Sequence, residues 1–292
     1  MLRAIEIVSK VSPRAFANYL LAFDAGDAAL EAFAITTPLR LAHFLAQSLY
    51  ETGGGTVLFE NMTYTTAARL LQIFGVGHHS AAVRPDEVDG LLNNPQALAE
   101  RVYGLGNPAK AAELGNRMPG DGYRYRGGGL LQTTGGGNYQ RLSEKIGVDF
   151  FGDPELIVAP ENALRPALHE WSEGGLNEAA DRNDIRTITR VINGGFNGLD
   201  GRQALFDRIW AVASDDTAAR QTESTDDATT WLQTALDDLG ARPPLVVDGR
   251  YGPATVQAVR LFQEAAGLAV DGVAGDATRA AIRLRLARAR RE

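Results

Sequence analysis

The chain has 292 residues, 45% of them hydrophobic and 22% charged, with a formal net charge of −7 and no cysteine. Such a length allows one large or two unequal domains, each able to bury a core. The lack of cysteine excludes disulfides, thiolate catalysis and cysteine-held zinc, and the acidic balance argues against nucleic acid as a partner.

The opening stretch, MLRAIEIVSKVSPRAF, lacks the apolar run of a signal peptide. No segment approaches the roughly 18 apolar residues of a spanning helix. A protein made in the cytoplasm is expected, one that acts there or leaves by another route. SPRAFANYLLAFDAGDAALEAFAI then carries helical spacing, and TTPLRLAHFLAQSLYE restarts it. Thr36 or Thr37 is a suitable N-cap, with Pro38 at the first helical position. Leu41, Phe44, Leu45 and Leu49 fall on one face of that helix. It ends in Glu51, and Gly53, Gly54 and Gly55 follow. TYTTAARLLQIFG predicts a further helix stopped by Gly75, and NNPQALAERVYG predicts another. Between Gly115 and Gly137 the chain is glycine-rich and polar, which suits a long ordered loop or a short strand pair. Helices return with NALRPALHEWSEGG, DIRTITRVIN and GRQALFDRIWAVAS.

Residues 1–213 thus read as one mainly α-helical domain. SDDTAARQTESTDD (214–227) has five acids, one arginine and no large apolar residue; it cannot bury a core and reads as an acidic flexible linker. Residues 228–292 form a second, small domain. VVDGRYGPAT (246–255) and AVDGVAGDAT (269–278) match at six of ten positions, 23 residues apart. Each copy has an Asp-Gly turn, a second glycine and a helix start. With WLQTALDDLG before them, the helices PATVQAVRLFQEAAG and DATRAAIRLRLARAR make a three-helix module.

Chemistry concentrates around Glu51. An acid at a helix C-terminus faces the negative end of the dipole and follows apolar neighbours, and both features favour its protonated form. Glu60, nine residues on in FENMTY, lies in a more polar stretch beside Asn61 and is expected to stay ionised. Two carboxyl groups with unequal proton affinity are what glycoside hydrolysis needs. One protonates the leaving oxygen, and the other activates water or attacks the sugar. Taken alone, two such glutamates are more often surface acids.

They are not alone. HFLAQSLYETGG, FENMTYT, YRYRGGGLLQTTGGGNY and INGGFNG resemble, in order and spacing, glycoside hydrolase family 19, and more narrowly the lysozyme-like endolysins of phages and prophages. The resemblance spans about residues 36–212. It implies a lysozyme-like helical catalytic domain, with Glu51 as general acid, Glu60 as general base and Thr134 as the hydroxyl that helps hold the attacking water. It further implies that Tyr64, Gln132, Asn138 and Asn193 line the sugar cleft, and that Arg208 matches a buried arginine pairing with the catalytic carboxylates. Arg126 opens the RGGG turn and is assigned electrostatic or structural work there. The family inverts at the anomeric centre, which implies carboxylates about 6.5–9.5 Å apart. Asn, Gln, Thr and Tyr side chains suit sugar hydroxyls on chemical grounds as well. The sequence departs from the family at Tyr50, where most relatives have histidine, and at RGGG (126–129), where RGRG is usual. The second departure, with Gly135 to Gly137, suggests a looser cleft wall carrying less positive charge.

Other candidates read as structural. His43 sits within a core helix. His78 and His79 form a loop pair without companion ligands at metal spacing. His169 and Trp171 suit packing, while Glu170 and Glu173 are within reach of a cleft. Gly135 to Gly137 lack the Gly-Lys-Ser/Thr that a phosphate loop needs. No cofactor and no metal is expected.

The doubled DGxxGxxT element, with AVRLFQEAAGL between its copies, resembles the peptidoglycan-binding module of cell-wall hydrolases. Asp248, Gly249, Gly252, Thr255, Phe262, Gln263, Gly267, Asp271, Gly272, Gly275 and Thr278 carry that resemblance. The last helix ends in RAAIRLRLARARRE, with six arginines and one glutamate. It reads either as a solvated helix face or as a basic amphipathic helix for anionic outer-membrane lipid. The expectation is a monomeric endolysin made in a host cytoplasm. It cleaves the β-1,4 bond between N-acetylmuramic acid and N-acetylglucosamine of peptidoglycan glycan strands after release to the wall. The alternatives are a chitinase, and a wall-binding protein whose catalytic domain has decayed.

Overall fold

A computed structural model describes residues 3–221, 226–268, 270 and 272–289. Helix follows helix: α1 (Ala4–Val11), α2 (Ala17–Asp24), α3 (Asp27–Ala32), α4 (Pro38–Glu51), α5 (Ala67–Phe74), α6 (Pro95–Tyr103), α7 (Pro108–Leu114), α8 (Asp121–Arg124), α9 (Gly136–Ile146), α10 (Leu164–Glu173), α11 (Leu176–Asp181), α12 (Ile185–Asn193), α13 (Leu199–Gln221), α14 (Asp226–Asp238), α15 (Pro253–Ala266) and α16 (Asp276–Ala289). The expected mainly α class holds. Among the described residues the only β pairing is isolated bridges, at Phe59–Gly128, Gly75–Val83 and Gly128–Thr133. The chain divides into two units. One comprises Met1–Val11, Ala34–Ala46 and Gly175–Glu292; the other comprises Ser12–Phe33 and Gln47–Gly174.

The second of these units holds two apolar clusters. Met62, Leu70, Phe74, Val83, Val88, Leu98 and Val102 make one. Tyr125, Tyr139, Leu142, Ile146, Phe150 and Ile157 make the other. Each large side chain so buried contributes about 1.5–3 kcal/mol. Between them runs the glycine-rich segment, whose path is fixed by polar side chains. The Asn116 amide donates to Tyr103 O at 2.9 Å, and its Oδ1 accepts Gly136 N–H at 2.8 Å. Glu100 accepts Leu105 N–H and Gly120 N–H. The expected loop or strand pair is therefore a loop carrying the short helix α8, closed by two single bridges at Gly128.

Nor do Gly135 to Gly137 loosen the wall. Gly136 and Gly137 open α9, and Gly135 adopts φ 94°. A Cβ on Gly135 would lie 2.6 Å from Leu114 O, and one on Gly115 would lie 2.8 Å from Gly137 N. The glycines let the end of α7 press against the start of α9, which side chains would prevent.

In the other unit α1 packs on α13, and α12 packs on both α11 and α13. His43 is fully buried. It stacks on Phe206 with ring centroids 4.2 Å apart, and its Nε2 meets Asn183 Oδ1 at 2.7 Å. Burial lowers its pKa to about 4, so at neutral pH it is an uncharged core residue. Helices α14, α15 and α16 pack on one another around a device used twice. Gln233 of α14 donates to Asp248 Oδ1 and Arg250 O, and accepts Asp248 N–H and Gly249 N–H. Gln263 of α15 donates to Val273 O and Thr278 Oγ1, and accepts Gly272 N–H. Each repeated turn is thus clamped by a glutamine on the preceding helix. Asp271 lies outside the described residues.

The acidic segment 214–227 differs from the expected linker. Helix α13 continues to Gln221 and α14 begins at Asp226; residues 222–225 lie outside the described residues. Ala218, Ala219, Arg220 and Gln221 are good helix formers, so the backbone stays helical where composition offers no core to bury. In α16, Arg283 lies over Trp231, Arg285 lies over Phe262, and Arg279 donates to Ala274 O. Three of the six arginines are engaged inside the module; Arg290 and Arg291 lie outside the described residues.

Candidate active site

Helix α4 delivers Glu51 as its last residue. Thr37 Oγ1 accepts Arg40 N–H at the start of that helix. At its end Thr52 Oγ1 donates to Ser48 O at 2.7 Å and accepts Gly55 N–H at 3.1 Å, while Gly54 N–H reaches back to Leu49 O at 2.6 Å. Gly53, Gly54 and Gly55 all take positive φ, from 56° to 77°, which is why the chain turns there on glycine. The turn leaves Glu51 half-buried and Tyr50 exposed.

Glu60 lies in the extended segment that follows, fixed by backbone bonds. Its N–H donates to Gly127 O at 2.7 Å, and Gly129 N–H donates to Leu58 O at 3.0 Å. Tyr103, at the end of α6, donates its hydroxyl to Glu60 Oε1 at 2.9 Å. Burial raises the Glu60 pKa above the ordinary carboxylate range, against the opposing pull of Tyr103, the Gly127 amide and the Arg126 charge. The surroundings of Glu60 are thus less polar than its sequence neighbours suggested. Asn61 beside it turns outward to accept Thr63 N–H, and the tertiary fold covers Glu60 instead. Burial, and after it the Glu60 charge, raise the pKa of Tyr103 and of Tyr64.

Gly127 is where the site converges. A Cβ placed there would lie 3.1 Å from Gln132 Oε1, 3.3 Å from Thr134 Oγ1 and 3.5 Å from Glu60 Cβ. Gln132 takes φ +53°, unusual without glycine. The strain is held by Gln132 Nε2 donating to Gly129 O and by Thr134 Oγ1 donating to Gln132 O. Next to it, a Cβ on Gly128 would sit 2.6 Å from the Tyr139 hydroxyl and 2.7 Å from the Phe59 ring. The RGGG departure therefore tightens this turn. Arg126 lies over the rings of Tyr123 and Phe59, 4.2 and 4.5 Å from their centroids, and donates to Tyr123 O. It acts as a held positive charge near Glu60.

The remaining expected residues are placed differently. Tyr64 is half-buried against Phe74. Asn138 spends its amide on Thr134 O, 2.7 Å away. Asn193 is exposed at the end of α12, in the unit that does not contain Glu51 and Glu60. Arg208 is a correction: it is exposed and donates to Val11 O. Among the described side chains of α13 the buried arginine is Arg202, 1% exposed, four residues before the buried Phe206 and so on the same helix face. Tyr103 was not legible as a site residue, since RVYG reads only as a helix end. Glu170 of α10 was noted, and its carboxyl accepts Thr133 Oγ1 at 2.6 Å. His79 Nδ1 accepts Ala81 N–H, and His169 packs edge-on to Phe33.

A family model described as a putative peptidoglycan binding domain matches residues 225–282. A glycosyl hydrolase family 19 domain-containing protein of Haemophilus influenzae is 30% identical over 198 residues, 66% of this chain and 90% of that one. A zinc D-Ala-D-Ala carboxypeptidase of Streptomyces albus G is 56% identical over 39 residues, 13% of this chain and 15% of its own. Among solved structures, chitinase C from Streptomyces griseus HUT6037 aligns with a TM-score of 0.47 at 19% identity, covering 72% of this chain and 77% of that chain.

Proposed function

The chain belongs to glycoside hydrolase family 19 and carries a peptidoglycan-binding domain, and we propose that it hydrolyses the β-1,4 bond between N-acetylmuramic acid and N-acetylglucosamine in peptidoglycan. The observation that carries this reading is the convergence of Glu60, Gln132 and Thr134 on Gly127, in the unit that also holds Glu51. Water, oriented by the Thr134 hydroxyl, attacks the anomeric carbon and gives its proton to Glu60. The bond to the leaving oxygen breaks as Glu51 gives that oxygen a proton. Glu51 ends ionised and Glu60 protonated, and exchange with solvent restores both. The substrate is assigned from the second domain: a module that holds peptidoglycan raises the local concentration of that polymer around the catalytic residues. The site of action is the wall, and the outcome is lysis of the cell, as by an endolysin.

Glu51→Gln tests the assignment. Hydrolysis of purified peptidoglycan should fall by about 10²–10⁴-fold, while sedimentation of the protein with the same wall material stays as in the parent. Unreduced hydrolysis by the variant would remove Glu51 from the mechanism.

A further inference from the structure

A cavity of about 830 Å³ opens within the unit that holds Gly175–Glu292. None of the residues given a task in the reaction lines it, and its volume lies in the range of sites for small ligands. One wall is α15 of the peptidoglycan-binding domain. Arg260, Leu261 and Glu264 follow Gln257 by three, four and seven residues, which puts all four on one helical face. The other wall is the turn from α11 to α12, and that turn is fixed from behind. Asp181 takes a two-pronged bond from Arg40 of α4, Nε to Oδ1 at 2.9 Å and Nη2 to Oδ2 at 2.6 Å. Asn183 adopts φ 53°, and its Oδ1 meets His43 Nε2 at 2.7 Å. Asp184 Oδ1 accepts Thr187 N–H at 2.9 Å and caps α12. The turn is thus pre-organised, which lowers the cost of binding against it.

Arg260 is the group in this lining whose bonding is incomplete. It is 8% exposed. Its Nη2 reaches Asp181 Oδ1 at 3.2 Å, an oxygen that Arg40 already uses. Its Nη1 is buried and has no partner. One carboxylate therefore serves two guanidinium groups, and a buried N–H of a cation is costly to leave unbonded. A second carboxylate, brought by a ligand, would offset both. The rest of the lining supplies charge of both signs and apolar surface. Arg182 and Glu264 are exposed, and Asp184 is half-buried. Leu261 and Val270 are 47% and 41% exposed, although both are large and apolar. No aromatic ring is among the described residues that line the cavity, so a sugar face has nothing to lie on. Sugar hydroxyls and amides also carry no charge to match the arginines and acids. A short peptide with free carboxyl and amino groups matches both.

We propose that this cavity binds the stem peptide of peptidoglycan. A stem carboxylate seats against Arg260 and Arg182, the side-chain amine of the diamino acid against Asp184 and Glu264, and the alanine methyl on Leu261 and Val270. The inference rests on peptidoglycan being the polymer on which the chain acts. It gives the binding domain a peptide to hold, while the sugar chain is left to the carboxyl groups that cut it.

Calorimetric titration of the unaltered full chain with the free tripeptide L-Ala–γ-D-Glu–meso-diaminopimelate should show saturable binding at a single site. Amidating the carboxyl groups of the peptide should weaken binding by about tenfold or more, and so should acetylating its amine, since each removes a charge-assisted bond. Neither comparison alters the protein. Arg182→Glu, at an exposed position that leaves the Arg260–Asp181 pair in place, should weaken binding by a similar factor. Absence of saturation overturns the proposal, as does equal binding of the amidated peptide or an unchanged affinity in Arg182→Glu. Peptide-free glycan strands that displace the tripeptide would also overturn it, by making the cavity a sugar site. Failure of the parent reading would appear separately, as a chain that binds the tripeptide but leaves purified peptidoglycan uncut.

Discussion

Tyr103 gives Glu60 a hydrogen bond of 2.9 Å, and that bond opposes the burial that raises the Glu60 pKa. Replacing it by phenylalanine leaves burial unopposed on that side, so the Glu60 pKa rises further. A base must be ionised to act. The acid limb of the kcat/KM profile should therefore move to higher pH, by about one to two units for the loss of one bond to a charged group. A profile whose acid limb stays in place would contradict the role given to Tyr103. The wider lesson at this scale concerns what neighbours in sequence can reveal. Glu51, Glu60, Gln132 and Thr134 are carried by short sequence blocks, and the structure gathers the last three around Gly127. The sign of the Glu60 shift was not readable. Asn61 suggested polarity, but Glu60 is covered by Tyr103, 43 residues away. Arg208 failed for a related reason: Arg202 and Arg208 lie on one helix, and burial chose between them.

Helices with their own caps and apolar faces were visible in advance. Helix α4 has Thr37 at its start and glycines at its end, and α5 stops at Gly75 as its spacing predicts. Helix α9 was not visible, because three glycines read locally as a loop. Only the close approach of α7 explains them. The acidic stretch 214–227 misled in the opposite direction: low hydrophobicity removes a core but does not forbid helical backbone. In the small module the repeated Asp-Gly turns were plain, yet the glutamines that clamp them were not, since Gln233 lies 15 residues before Asp248. Gln233→Ala would strand Asp248 N–H and Gly249 N–H. It should cost about 2–3 kcal/mol, enough to lower the melting of a module of this size by roughly 10 °C. Calorimetry of the full chain reads that shift; an unchanged thermogram would deny Gln233 its clamping role.

At the scale of the whole molecule the chain joins a family 19 glycoside hydrolase to a peptidoglycan-binding domain at residues 225–282. Both were legible, because each leaves several short blocks in fixed order. The bond that is cut is the claim on which the rest depends. Mass spectrometry of borohydride-reduced muropeptides, released from purified peptidoglycan by the full chain, identifies it directly. The account predicts fragments whose reduced ends are N-acetylmuramic acid. Reduced N-acetylglucosamine ends, or intact peptidoglycan alongside cleaved chitin oligomers, would contradict it.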